Sequence, residues 1–378
     1  MKFYLISFRT DFNLTGEYKR LESIFKIFSD ANIEAEIISV SKKKSFHSPK
    51  KAESFSGHFF DIFIILIKVF HLRKSSAFFF VLLPTPIFSF IGDIIKMMTP
   101  NRVIVNFESH LSNLSMKDLF ENVKHEPWFY ITRFLFNNNF FSGFSLKKAD
   151  KYIINTQYQY EELLKIGYAF NKIEIIENII PIIPKGEKIS LKNKYSISSQ
   201  DKVLCYIGHY FHVKGVDILL KAFLILLNKN INLKLIIAWS GLGDNKKIEK
   251  LISDLNINNS IILLEKVIVS DIFSIADILV LPYRFSFGSQ ILPNILLEGI
   301  SAGIPIVTSN LPVLDAVLQD SVIISYNNND PTKLAEKINV LLNDEMRCVQ
   351  CVKNQNKFLY YKYNQMMIKQ KYLQLLNV

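Results

Sequence analysis

The sequence predicts an α/β protein of two units, each a parallel sheet wrapped by helices. Three observations carry the prediction. Short apolar strands alternate with longer helical stretches along the chain. A junction at residues 181–186, Pro-Ile-Ile-Pro-Lys-Gly, separates two such series. The length of 378 residues exceeds what a single core usually holds.

Before the junction, residues 3–8 read as a first strand, 18–31 as an amphipathic helix and 33–40 as a second strand. The lysine-rich stretch 41–56 reads as a loop. Helices are expected at 59–71, 87–98 and 157–166, a helical region at 128–148, and strands at 77–83, 102–107, 151–155 and 173–176. After the junction, strands are expected at 202–207, 233–239, 261–264, 278–282, 305–308 and 322–325. Helices are expected between and after them at 215–227, 246–255, 272–276, 293–302 and 331–342. The expected domains are 1–184, 185–345 and a helical tail, 346–378, packing back toward the first. Two α/β units in tandem imply a cleft, and ligands favour strand C-termini and domain interfaces.

Composition narrows the function classes. Hydrophobic content of 49% and charged content of 21% fit a folded globular chain. The net charge of +11 is shared by both halves, so there is no basic tail. It is compatible with an anionic membrane surface or phosphate-bearing ligands, and no nucleic-acid module is present. Three cysteines make no disulfide framework, and Cys348-Val349-Gln350-Cys351 reads as a plain helical pair. The N-terminal run is too short and too soon interrupted for a signal peptide, and residues 59–70 fall short of a spanning helix. Aromatics at 59–70 lie beside Lys68, His71, Arg73 and Lys74, with Lys42, Lys43 and Lys44 nearby. Two readings fit that helix: a core element of the first domain, or an interfacial helix on anionic lipid.

The second half carries the chemistry. Residues 208–215, Gly-His-Tyr-Phe-His-Val-Lys-Gly, follow a strand and open a helix. Gly208 is expected to turn the backbone away from the strand end, Lys214 to sit just before the helix, and Gly215 to permit close backbone approach. Helix dipole, free N–H groups and one ammonium suit a pyrophosphate; a solvated loop with a surface lysine is the plain alternative. Gly241 and Gly243, in Trp239-Ser240-Gly241-Leu242-Gly243-Asp244, let a base or ribose approach the backbone, or else form an ordinary turn. Residues 290–309 place one carboxylate, Glu298, early in a helix that ends at Gly303 and leads into a proline-bounded strand. An anion-binding helix start beside a carboxylate for sugar hydroxyls suits a nucleotide-sugar.

These pieces fall in one order: Gly208-x5-Lys214-Gly215, Gly241-x-Gly243, Ala276-Asp277, Pro282, Pro293-Asn294-x3-Glu298, Gly303-x-Pro305 and Asp330-Pro331-x2-Leu334-Ala335. Their order and spacing resemble the C-terminal half of the family 4 glycosyltransferases (glycosyl transferases group 1), which have the GT-B fold. The resemblance covers about residues 200–345. It extends weakly into the first half through Ala149-Asp150-x4-Asn155-Thr156 and Lys172-Ile173-x4-Asn178. It implies two Rossmann-like domains facing across a cleft and transfer of a hexosyl group with retention. Lys214 would contact the donor pyrophosphate and Glu298 the ribose hydroxyls. The backbone at Asn294, Ile295 and Leu296 would touch phosphates or sugar. Gly16, in the loop after the first strand, would admit the donor phosphate, and His110 would stand at the acceptor side.

Two departures are visible. His209 stands where the family often has arginine, so its charge depends on pH. Gln290 stands eight residues before Glu298, where the family usually has its first acid. Gln290 can still hydrogen-bond a sugar hydroxyl but brings no negative charge. The stretch Tyr283-Arg284-Phe285-Ser286-Phe287-Gly288-Ser289 also differs from the commoner small-residue loop. No Asp-x-Asp element stands in a suitable loop, so metal independence is expected, with no cofactor beyond the donor. The expected partners are a UDP- or GDP-sugar and a glycan or lipid-linked acceptor in cell-surface polysaccharide or glycolipid synthesis. The expected location is the cytoplasm, peripherally on the membrane. The competing readings are a GT-B protein that binds nucleotide or glycan without turnover, and a nucleotide-sugar epimerase.

Overall fold

The computed structural model describes residues 2–7, 16–39, 55–75, 77–83, 88–109, 116–127, 130–131, 145–229, 232–265, 267–285, 292–318, 322–327 and 329–375. The first series is β1 (Lys2–Ser7), α1 (Gly16–Asp30), β2 (Ala35–Ile38), α2 (Phe55–Leu72), β3 (Ala77–Leu83), α3 (Ser89–Met98), β4 (Arg102–Phe107), α4 (Met116–Asn122), β5 (Lys151–Ile154), α5 (Gln157–Lys165) and β6 (Ile173–Ile175). The second is α6 (Lys188–Lys194), β7 (Lys202–Tyr210), a 3-10 turn (His212–Lys214), α7 (Val216–Leu227), β8 (Leu233–Gly243), α8 (Asn245–Asp254), β9 (Ile261–Leu264), α9 (Val269–Ile275), β10 (Ile278–Leu281), α10 (Asn294–Ser301), β11 (Ile306–Ser309), α11 (Pro312–Val317), β12 (Ile324–Tyr326), α12 (Pro331–Asn343) and α13 (Glu345–Lys362). A last helix, α14, spans Gln365–Gln374. Two compact units result: Met1–Ile179 with Gln365–Val378, and Ile180–Gly288 with Leu292–Asn364. Of the helices after residue 344, α13 therefore belongs to the second unit and α14 to the first.

Each unit holds a six-stranded sheet whose strand pairs are all parallel. The orders are β2-β1-β3-β4-β5-β6 and β12-β11-β10-β7-β8-β9. Parallel strands are covered on both faces and need apolar side chains throughout. Strand β3 shows this: every residue of its Ala-Phe-Phe-Phe-Val-Leu-Leu run is buried. Helix starts are set by side-chain acceptors. Thr156 takes the Gln159 N–H at the start of α5, and the Gln159 side chain reaches back to the Asn155 N–H at 2.8 Å. Asp330 takes the Thr332 and Lys333 N–H groups of α12, whose first residue is Pro331.

In the first unit a buried polar network crosses the sheet end. The Arg20 guanidinium on α1 donates to the side chains of Asn155 and Asn178, to the Ile176 carbonyl at 3.2 Å and to the Tyr372 hydroxyl on α14 at 3.0 Å. Its Nε lies 3.3 Å from the Glu108 carboxylate.

Several expectations are corrected. Gly16 is the first residue of α1 rather than a loop residue. Residues 145–148 are not helical, because the buried Asp93 carboxylate captures the Leu146 N–H at 2.8 Å and the Lys148 N–H at 2.6 Å. Helices α4, α6 and α11 lie where the sequence pattern placed none. Strands β7 and β8 run past the glycines expected to end them, to Tyr210 and Gly243.

Candidate functional site in the second unit

In the second sheet, β7 comes first in the chain. Its neighbours are β8 on one side and β10 on the other, so chain order reverses between β7 and β10. The crevice beyond the carboxyl ends of such a strand pair is where open α/β sheets bind ligands. Here it receives the His212–Lys214 turn after β7 and Pro282, Tyr283 and Arg284 after β10.

These two segments are fastened together. The Arg284 N–H donates to the Val213 carbonyl at 2.9 Å. The Arg284 guanidinium donates to the His212 carbonyl at 2.7 Å and grips Asp217 on α7 with bonds of 2.8 and 2.5 Å. Burial alone would raise the Asp217 carboxyl. The hydrogen bonds and charge of Arg284, with His212 nearby, outweigh it and hold the acid below its usual range. Gly215 caps α7 in the left-handed region, with φ of 68°. A Cβ there would lie 1.9 Å from the Pro282 carbonyl oxygen. The close backbone approach expected at Gly215 is thus made to the chain itself.

Lys214 ends the turn and is only 9% exposed. Its Nζ lies 4.7 Å from the centre of the Tyr283 ring. Among the described residues the ammonium has no ion pair, and desolvation lowers it from 10.5 to about 8. It is therefore a buried cation, not the surface lysine of the plain alternative.

Gly208 does not turn the chain. It stays in β7, pairs with Trp239 and lies beside a register shift that ends at Tyr210. A Cβ there would meet the Tyr206 hydroxyl at 2.8 Å, and that hydroxyl donates to the His209 carbonyl at 2.6 Å. His209 is half-buried, with its ring edge-on to Phe211. Gly241 and Gly243 both have positive φ, 91° and 94°. Gly243 is pressed against Tyr210, its ladder partner, where a Cβ would lie 2.4 Å from the Tyr210 carbonyl carbon. Gly243 thus closes the β7–β8 pair, while Gly241 is exposed before it.

Helix α10 follows β10. Pro293 is its N-cap, and the Pro293 carbonyl takes the Leu296 N–H at 2.9 Å. The first N–H groups of any helix lack intrahelical acceptors, so those of Asn294 and Ile295 form its donor end. Gly299 lets the helix lie close on the sheet, since a Cβ there would meet Leu279 at 2.5 Å. Glu298, the next residue toward the start, is 3% exposed. Gln290 and His110 lie outside the described residues.

Of the expected site residues, His209 lies near the carboxyl end of β7, Lys214 in the turn after it, and the start of α10 in the chain after β10, the neighbouring strand. Tyr283 and the Arg284–Asp217 pair belong with them and were not among the expected site residues. The departure of 283–289 from the small-residue pattern marked the loop that holds Tyr283 and Arg284, but not the contacts they make. Elsewhere the cysteines are quiet. Cys348 and Cys351 on α13 donate to the Leu341 and Val322 carbonyls, and burial raises both thiols. Among the described residues no three His, Cys, Asp or Glu side chains form a metal-holding group.

Residues 187–358 match the family described as glycosyl transferases group 1. An uncharacterized glycosyltransferase of Methanocaldococcus jannaschii is 28% identical over 227 residues, 58% of this chain and 54% of that protein. The capsular polysaccharide biosynthesis glycosyltransferase CapM of Staphylococcus aureus is 27% identical over 185 residues, 47% and 44% of the two chains. The chain thus spans about half the length of the curated relatives it matches. Anabaena HepE, solved with UDP and glucose, has a TM-score of 0.71 over 100% of this chain and 99% of its own, at 14% identity. The fold is that of these α/β glycosyltransferases, the GT-B class.

Proposed function

We propose that this protein is a glycosyltransferase that moves a sugar from a nucleoside-diphosphate sugar to a glycan or lipid-linked glycan. The observation that carries the reading is Lys214, a buried cation at the β7–β10 switch point with no ion pair among the described residues. A desolvated ammonium is costly without an anion, and a diphosphate entering the crevice would supply one. The match of residues 187–358 supports the reaction class.

Breaking the anomeric C–O bond leaves positive charge on the sugar and negative charge on the diphosphate. In this reading Lys214 and the first N–H groups of α10 stabilise the departing diphosphate, and His209 adds a donor. Glu298 takes the ribose hydroxyls, Gly241 leaves room for the nucleotide, and Gly16 admits the donor phosphate. His110 serves the acceptor side. Gln290 hydrogen-bonds the donor sugar without adding charge. Transfer proceeds with retention and without metal. HepE holds UDP, which makes a UDP-sugar the first donor to try and a GDP-sugar the second. CapM acts in capsular polysaccharide biosynthesis, which favours a cell-surface glycan acceptor.

The test is a thermal-shift screen with UDP, GDP, ADP and CMP, followed by transfer assays with the sugar of the stabilising nucleotide. Stabilisation by one diphosphate and transfer to a glycan acceptor is expected. Binding without transfer or hydrolysis would leave a binding protein, and isomerised donor an epimerase. No stabilisation by any diphosphate would sink the reading.

A peripheral membrane position is part of the proposal. Phe63, Ile67 and Phe70 form one exposed stripe on α2, Phe63 being 60% exposed. Arg73 stacks on the Phe70 ring at 3.5 Å, and Lys68 and Lys74 are exposed beside it. Aromatic and basic side chains on one helix suit anionic lipid. Among the described residues no helix is long and apolar enough to cross a membrane. Flotation with anionic but not neutral liposomes is expected, and equal behaviour with both would remove this element.

A further inference from the structure

Lys214 faces an unusual partner for a buried lysine. The acid nearest in sequence, Asp217, is held by both arms of Arg284 and is engaged elsewhere. What meets the ammonium is the ring of Tyr283, 4.7 Å from Nζ to its centre and itself buried. The two residues come from different strands, one after β7 and one after β10, so their meeting depends on both connections. Both are fixed: Arg284, next to Tyr283, bonds the carbonyls of Val213 and His212, the two residues before Lys214.

This choice of partner has a chemical consequence. A carboxylate in place of Tyr283 would cancel the charge of Lys214 and repel an incoming diphosphate. An aliphatic side chain would remove this contact and leave the ammonium freer to swing away or lose its proton. The negative face of an aromatic ring attracts a cation, yet it neither neutralises it nor competes as an anion would. We propose that Tyr283 is a positioning residue that holds the Lys214 ammonium at the switch point with its charge uncommitted, to be met by the donor diphosphate. This inference rests on the donor-site reading of Lys214. It adds a residue that the motif pattern leaves out.

The experiment compares UDP with uridine, because only UDP carries the group that Lys214 would meet. Binding is measured by calorimetry for UDP and by ligand-observed magnetic resonance for uridine. The proteins are the wild type and the Tyr283→Phe, Tyr283→Leu and Tyr283→Met variants. The phenylalanine variant keeps the ring and is expected to bind UDP within about twofold of wild type. The leucine and methionine variants are expected to lose about tenfold in UDP affinity, as befits a desolvated cation–π contact, with uridine affinity unchanged. In a Lys214→Met background, Tyr283→Leu is expected to cost no further affinity. Folded leucine and methionine variants that bind UDP like wild type would overturn the inference. So would equal losses for UDP and uridine, or loss of native circular dichroism in both variants, since either marks Tyr283 as a packing residue only. If the wild type binds neither UDP nor GDP, the donor-site reading itself fails and takes the inference with it.

Discussion

Arg20 on α1 donates to the hydroxyl of Tyr372 on α14 across 3.0 Å of space and 352 positions of sequence. The same guanidinium faces the buried Glu108 carboxylate and two asparagines. Tyr372→Phe removes one of several hydrogen bonds and should cost about 1 kcal/mol. Arg20→Met strips Glu108 of its buried cation and should cost about 3–5 kcal/mol. Urea denaturation monitored by circular dichroism measures both. Equal effects would show that Arg20 matters only through Tyr372.

Lys214 trades stability for binding. Its folded value, about 8, lies below the ordinary 10.5, so the unfolded chain binds more protons between those values. Stability of the ligand-free protein should therefore rise with pH through that window. The penalty, on the order of 3 kcal/mol, is fully present below pH 8. Lys214→Met should raise stability near neutral pH, flatten the pH dependence and weaken UDP binding by more than about tenfold while leaving it measurable. In the wild type, UDP affinity should fall as pH climbs past about 8, because the ammonium is the binding form. Chemical denaturation and UDP titration between pH 7 and 10 check each part.

The two glycines that flank the 209–214 segment should differ in tolerance. A methyl on Gly215 meets the Pro282 carbonyl oxygen at 1.9 Å and sits at φ of 68°, where neither backbone can yield. Gly215→Ala should cost about 3 kcal/mol or more and disrupt the site. A methyl on Gly208 meets the end of the Tyr206 ring at 2.8 Å. The ring can tilt, losing its bond to the His209 carbonyl, for about 1 kcal/mol. Thermal unfolding of both variants gives the order.

Glu298 and Lys214 should be separable by ligand. Glu298→Gln keeps the shape of the buried side chain and removes its charge. It should weaken UDP by about tenfold or more, in line with hydrogen bonds to a charged group. The variant should lose little for 2′,3′-dideoxy-UDP, which lacks the hydroxyls assigned to Glu298. Equal losses for both nucleotides would move Glu298 away from the ribose.

Local patterns carried much of the architecture. Residues 77–83, 102–107 and 261–264 form strands with the expected bounds, because each is a short, mainly apolar run. The strand ends were harder. Gly208 and Gly243 look like stops, yet each sits in a ladder: β7 shifts register after Gly208, and Gly243 pairs with Tyr210. Helix α6, Lys-Ile-Ser-Leu-Lys-Asn-Lys, has little apolar period and is held at its start by the Glu187 carboxylate. In the candidate site, Lys214, Glu298 and the start of α10 were legible because helix starts and lone charges leave marks in the sequence. Tyr283 was not, since its meaning depends on a contact between segments about 70 residues apart, which no local spacing reports. The Arg20 network is hidden for the same reason.

The membership of α14 in the first unit bears on how the protein is made. A ribosome releases Met1–Ile179 early, but the piece that brings Tyr372 to Arg20 emerges only after the second unit has been synthesised. Until then Arg20 lacks the Tyr372 hydroxyl that it bonds in the complete unit. The first unit is thus the earlier to begin and the later to finish. A gene split at the 179–180 boundary would separate it from its own last helix.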